Sequence, residues 1–232
     1  MKNLIPVIGL IAFLAAPGAQ AGPQADAAWK DYVEGRHGKA VEKLTELAYD
    51  GDADAAYYLG SAYKDGLGVK RSEKMAAWWM EKAAEKGHKE AAYGVGFIYL
   101  HGAGDGPDAV AADPKRAAKW LTVAADAGNA DALAELSRMY TEGRGVEKDT
   151  TKALKLAEEA AKRGRASAQF DLGVAKSKIQ DARAWIDAYA WFSLAAAQNY
   201  PGAAENLDKV AKHLHPKEIE QAKKRAAELK GG

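Results

Sequence analysis

Apolar and small residues along the middle of the chain recur at helical spacing, and the whole pattern then returns several times. Positions 55, 59, 62 and 63 fall on one stripe of a helix of about 3.6 residues per turn. The stretch Ala55-x-Tyr57-x-Leu59-Gly60-x-x-Tyr63-x-x-Gly66-x-Gly68-Val69 comes back 36 residues later as Ala91-x-Tyr93-x-Val95-Gly96-x-x-Tyr99-x-x-Gly102-x-Gly104. A third copy follows after 41 residues, Ala132-x-Ala134-x-Leu136-Ser137-x-x-Tyr140-x-x-Gly143-x-Gly145-Val146, and a fourth begins Ala168-x-Phe170-x-Leu172-Gly173 after another 36. The second half of each unit repeats too: Trp79-x-x-x-Ala83-Ala84-x-x-Gly87, Trp120-x-x-x-Ala124-Ala125-x-x-Gly128, Leu156-x-x-x-Ala160-Ala161-x-x-Gly164, and finally Trp191-x-x-x-Ala195-Ala196. The five extra residues of the second unit fall in its turn, 104–113.

Each unit reads as two helices. Gly66 ends the first, because a helix that stops on a positive φ favours glycine. The Gly-x-Gly-Val turn leads to Ser72, Asp113 or Asp149, each placed to cap the second helix through a side-chain oxygen. Gly87, Gly128 and Gly164 close that second helix. The paired alanines, with Gly60, Gly96 and Gly173, let facing helices approach closely, while Trp79, Trp120, Trp191 and Tyr63, Tyr99, Tyr140 supply the complementary bulk. No unit can bury its stripe alone, so stability must come from stacking on neighbours. The expected architecture is all-α, a right-handed, curved solenoid of stacked antiparallel helix pairs.

The repeated A-x-Y-x-L-G-x-x-Y-x-x-G-x-G-V…W-x-x-x-A-A-x-x-G pattern resembles Sel1-like repeats, close relatives of tetratricopeptide repeats, over about residues 24–203. The resemblance implies a superhelix of helix pairs that acts as a protein-binding scaffold. The first pair is trimmed, with helices expected over 27–34 and 40–49 around a turn at 35–38. The fourth unit departs as well: its turn, 176–187, lacks Gly-x-Gly-Val, and its second helix, 188–198, resembles the closing unit of bacterial members. These units occupy 22–214. Pro216 can open a last helix at the position where its missing N–H costs nothing, and 215–232 reads as a charged, polar cap of the array.

The chain begins with a different kind of segment. Lys2 precedes an apolar run over 4–16, and Ala19-Gln20-Ala21 offers the small residues that a signal peptidase accepts, so 1–21 reads as a secretory signal peptide. The run is shorter than the roughly 20 residues of a membrane span. The product is expected to be periplasmic, without stable membrane insertion, or alternatively secreted. Lysine and arginine number 33 against 32 acids, and removal of the leader takes Lys2 with it. Such balance excludes the concentrated basic face that nucleic acid requires. A mean hydropathy of −0.39 excludes a multi-span membrane protein. There is no cysteine, so stability does not depend on an oxidising compartment.

Searching for chemistry returns structural explanations. The Gly-x-Gly turns follow helices rather than strands and lack the Lys-Ser or Lys-Thr of a phosphate loop. Asp50-x-Asp52-x-Asp54 opens like a calcium loop, but Ala55 and Ser61 stand where such a loop needs Gly and a bidentate Glu. The five histidines contain no i, i+4 pair, and no Gly-x-Ser-x-Gly occurs. No catalytic residue, metal or cofactor is expected. Some cysteine-rich members of the resembled family are associated with β-lactam binding or hydrolysis, yet those carry a disulfide in each unit.

A binding face remains. In tetratricopeptide superhelices the first helix of each pair lines the concave surface, and the side of that helix away from the stripe is 54, 58, 61 and 65. Read through the units, this ladder holds Tyr58 and Asp65; Glu90, Phe97 and His101; Asp131, Glu135, Arg138 and Glu142; then Asp171 and Lys178. Acids outnumber bases, which would favour a basic partner segment, although Asp54, Glu90 and Asp131 also suit a helix start. Trp78 stands where other units have Lys119 and Lys155, which predicts an exposed slot. The expected partner-binding residues are therefore Tyr58, Asp65, Trp78, Phe97, His101, Glu135, Arg138 and Glu142. The expected function is a non-enzymatic protein-binding scaffold. Alternatives are a periplasmic regulator of a membrane sensor or a secreted factor acting on host proteins.

Overall fold

The second helix of each repeat starts where its side-chain cap stands. In the computed structural model, which describes residues 22–231, Ser72 accepts from the Met75 N–H at 3.1 Å, Asp113 from the Lys115 and Arg116 N–H groups at 3.1 and 3.0 Å, and Asp149 from the Lys152 N–H at 2.9 Å. Gly66 and Gly143 end first helices at φ +74°. First helices are capped as well, by Asp52, His88 and Asn129, while Arg165 at the same position offers no acceptor.

Twelve α-helices result among the described residues, and the first ten pair in chain order. The pairs are α1 (Pro23–Val33) with α2 (His37–Tyr49), α3 (Ala53–Asp65) with α4 (Glu73–Glu85), α5 (Lys89–His101) with α6 (Pro114–Asp126), and α7 (Ala130–Glu142) with α8 (Thr150–Lys162). The fifth pair is α9 (Ala166–Ser177) with α10 (Ala182–Ala196), and α11 (Ala203–Ala211) and α12 (Pro216–Gly231) follow as single helices, each packed on α10. From α1 to α11 each helix packs on the next, and α12 folds back onto α10. The architecture is an all-α solenoid of stacked helix pairs.

The buried set on α3 is broader than one stripe: Ala56 and Gly60 are buried beside Ala55, Leu59 and Ala62, because α3 is flanked by both α2 and α4. Leu44, Leu59 and Leu121 are wholly buried, each contributing roughly 1.5–3 kcal/mol. One apolar cluster runs through the successive pairs, and a second gathers Ala188, Phe192, Val210 and Leu214 beneath α11.

Three features differ from expectation. The last repeat's second helix begins at Ala182 rather than 188, because Asp181 caps it by accepting from the Ala184 N–H at 3.0 Å. A helix not anticipated, α11, follows the positive-φ Gly202. The long turn of the second unit also has structure of its own. Ala103 and Val110 exchange two backbone hydrogen bonds of 2.9 and 2.8 Å, and Asp108 reaches back to accept from Ser72 Oγ at 2.9 Å and the Glu73 N–H at 2.7 Å. The leader read at 1–21 lies outside the described residues. Among the described residues no helix is long and apolar enough to cross a membrane.

Candidate protein-binding face

The outward sides of α3, α5, α7 and α9 carry most of the residues singled out by sequence. At the centre, Phe97 is 43% exposed, its ring 4.4 Å from that of His101 and 6.1 Å from that of Tyr93. An exposed aromatic side chain of this size is an anchor for a partner surface. Glu90, His101, Arg138, Glu142 and Asp171 are exposed around it on successive helices. Burial pushes the Asp171 carboxyl above its ordinary value, and Arg138 only partly offsets this.

Three of the expected binding residues are engaged within the chain. Tyr58 is half-buried rather than free: its ring stacks on Trp29 at 4.8 Å and its hydroxyl donates to Asp26 at 2.9 Å. Helix α1 thus covers the upper part of α3, something no single-repeat pattern contains. Burial first, then the bond to Asp26, pushes the Tyr58 phenol up to about 12. Asp65 remains exposed but accepts from the Tyr32 hydroxyl at 3.3 Å. Glu135 is only 7% exposed, its carboxylate bonded to the Arg138 guanidinium one turn further on. Its charge is therefore neutralised locally and it does not belong to the acidic surface, whereas Arg138 does face solvent.

Trp78 is 41% exposed but stands on α4, away from Phe97 and in the row of second helices, with its ring edge-on to Trp79 at 4.5 Å. The sequence reading missed the joints between units. Tyr57 stacks on His88 at 4.5 Å, and His88 Nε2 lies 3.3 Å from Asp54 Oδ1 while its Nδ1 accepts from the Ala91 N–H at 3.1 Å. Arg165 pairs with Asp131 at 2.7 Å at the corresponding joint two units on. Tyr57 and Tyr93 were visible as a repeated tyrosine, but their reach into the next unit was not. Among the described residues no three His, Asp or Glu side chains are grouped to hold a metal ion.

A family model described as Sel1 repeat matches four consecutive segments, 53–88, 89–129, 130–164 and 166–200, together more than half of the chain. This chain belongs to the Sel1 repeat family. The four Sel1 units correspond to α3–α4, α5–α6, α7–α8 and α9–α10, and the helices at either end lie outside the match. Among solved structures, a protective antigen present in uropathogenic Escherichia coli strains and displaying an SLR fold is 28% identical with a TM-score of 0.69. The match covers 88% of this chain and 45% of the antigen, so the chain spans less than half of that protein's length. A Sel1 repeat protein from Oxalobacter formigenes is 26% identical with a TM-score of 0.65, over 75% of this chain and 72% of that one. Among curated proteins there is no significant match. Sel1 repeat proteins generally act as non-catalytic scaffolds for protein–protein interaction.

Proposed function

We propose that this Sel1 protein is a non-enzymatic adaptor of the bacterial periplasm, which holds a partner protein or peptide along the face made by its first helices. The observation that carries the reading is Phe97, an unshielded ring at the middle of the array, bordered by exposed acids on α5, α7 and α9. A stacked array presents such contacts already in place, so little ordering entropy is lost when a partner arrives. The exposed acids Glu90, Glu142 and Asp171 favour a segment bearing lysine or arginine, and a cation beside Asp171 would compensate the burial that raises its carboxyl. The periplasmic assignment rests on the leader-like pattern of 1–21.

The test combines Phe97→Ala with Glu142→Lys, both at exposed positions, and compares crosslinked partners in intact cells. Loss of the partner captured by the wild type, with unchanged helical circular dichroism and melting temperature, is the expected result. Undiminished capture would remove this face from consideration. Cell fractionation separates the periplasmic location from a secreted one.

A further inference from the structure

The two irregularities of the array come together. Trp78 breaks the pattern of lysines at its repeat position, and the second unit alone carries the long turn at 103–113. In the structure both line one trough of about 850 Å³, together with Lys74 of α4, residues 109–112, Tyr99 and Arg116. This is not the face that holds Phe97. Phe97 and Tyr99 are two residues apart on α5 and so project about 200° apart around its axis.

The wall at 109–112 includes one half of an isolated antiparallel bridge, Val110 with Ala103. Ala109 has extended backbone, and Val110 spends both its N–H and its C=O on Ala103. Ala111 is exposed, and among the described residues neither of its backbone groups has a hydrogen-bond partner. An extended peptide laid beside it would exchange two hydrogen bonds with this residue, the elementary step of β-augmentation. The trough also carries a small excess of cations. Lys74, Lys115 and Arg116 line it with Glu81 and Asp113. Glu81 is committed to Arg116 at 2.7 Å and to the Trp120 indole N–H at 3.0 Å, and Asp113 caps α6. Lys74 donates to the Pro107 carbonyl at 2.6 Å, so Lys115 is the cation without a carboxylate or carbonyl partner among the described residues.

We propose that this trough docks an extended peptide segment in which a large apolar or aromatic residue is flanked by aspartate or glutamate. The apolar side chain lies on the exposed face of Trp78, the acids reach Lys74 and Lys115, and the peptide backbone pairs with Ala111. The protein then offers two separate docking faces of opposite charge preference, one in each row of helices.

The probe is an end-capped heptapeptide of alternating valine and aspartate with a central tryptophan, titrated into isotopically labelled protein and followed by amide NMR shifts. Shifts are expected at 109–112 and at the Trp78 indole, with binding that weakens as salt is added. Trp78→Lys, which places there the residue of the next two units, should weaken binding about tenfold. A peptide N-methylated at its central amides should fail to bind, and Phe97→Ala should leave binding unchanged. Absence of shifts at 109–112 at millimolar peptide, equal binding of the N-methylated peptide, or loss with Phe97→Ala but not with Trp78→Lys would each overturn the proposal. Because neither Phe97→Ala nor Trp78→Lys removes a buried group, these results also separate failure of this trough from failure of the Phe97 face.

Discussion

Gly94 and Gly96 lie two residues apart on α5, and replacing each with alanine should move stability in opposite directions. In a helix interior alanine is favoured over glycine by about 1 kcal/mol, chiefly through backbone entropy. At Gly94 the added Cβ would meet only Met80 Sδ, at 3.2 Å. A thioether on three rotatable bonds yields readily, so most of the gain should survive, and Gly94→Ala should stabilise by about 0.5–1 kcal/mol. At Gly96 the Cβ would stand 2.9 and 3.0 Å from Leu121 Cγ and Cδ2 and 3.1 Å from the Leu121 backbone nitrogen. Leu121 is completely buried and cannot swing aside, and its nitrogen can retreat only if α6 moves as a whole. Overpacking of this kind costs about 1–3 kcal/mol, so Gly96→Ala should destabilise by about 1–2 kcal/mol after the helix gain is subtracted. For a chain of this size that lowers the melting temperature by about 2–8 °C. Thermal and urea unfolding followed by far-UV circular dichroism measure both variants on one scale. A Gly96→Ala protein as stable as the wild type would show that α5 and α6 are not held at the close approach described, and the packing argument for Gly60 and Gly173 would go with it.

Three further outcomes are expected. Glu81→Ala strands the buried Trp120 indole N–H and releases Arg116 from above the Tyr99 ring, 3.9 Å away, and should cost about 1–3 kcal/mol in denaturant unfolding; an unchanged midpoint would contradict the network. Tyr32, Tyr58 and Tyr99 each have phenols raised to about 12, burial being the main cause. In an absorbance titration they should ionise above the ordinary phenol value, and the stability they contribute should persist below that value and disappear as pH rises through about 12. Tyr58→Phe should remove one of the late-titrating groups. Asp171, whose folded carboxyl is raised, favours the native state most at acid pH and loses that contribution as pH rises through its folded value. Asp171→Asn should therefore match wild-type stability in acid and exceed it at neutral pH, and a variant less stable at neutral pH would contradict that sign.

The repeat was legible because its signals are local. A glycine that must take positive φ, a serine or aspartate cap and an apolar stripe all act within one or two turns, so α3 to α8 lie where the pattern put them. Tyr58, Gly94 and Glu135 occupy one position of that pattern yet meet three surroundings. Tyr58 is covered by Trp29 from the preceding pair, Gly94 abuts Met80, and Glu135 is folded down onto Arg138. Periodicity states which way a side chain points, but the neighbour it meets belongs to another unit and is set by stacking. The same holds for the start of α10, where Asp181 caps a turn that no glycine announces. Phe97, His101 and Trp78 are exposed, as the direction of their positions in the pattern implies, and their ring neighbours lie on their own helices.

Asp108 binds the first turn of α4 from within the following unit, so the two units share a fastening that the others lack. Opening either one exposes the amide and hydroxyl that the carboxylate was satisfying, and the loop then loses its footing as well. Unravelling should accordingly start at the outer ends of the stack and reach the junction of α4 with the 103–113 loop last. That durable middle stretch is also where the ring of Phe97 and the edge at Ala111 are displayed, so both recognition surfaces should outlive partial fraying of the molecule.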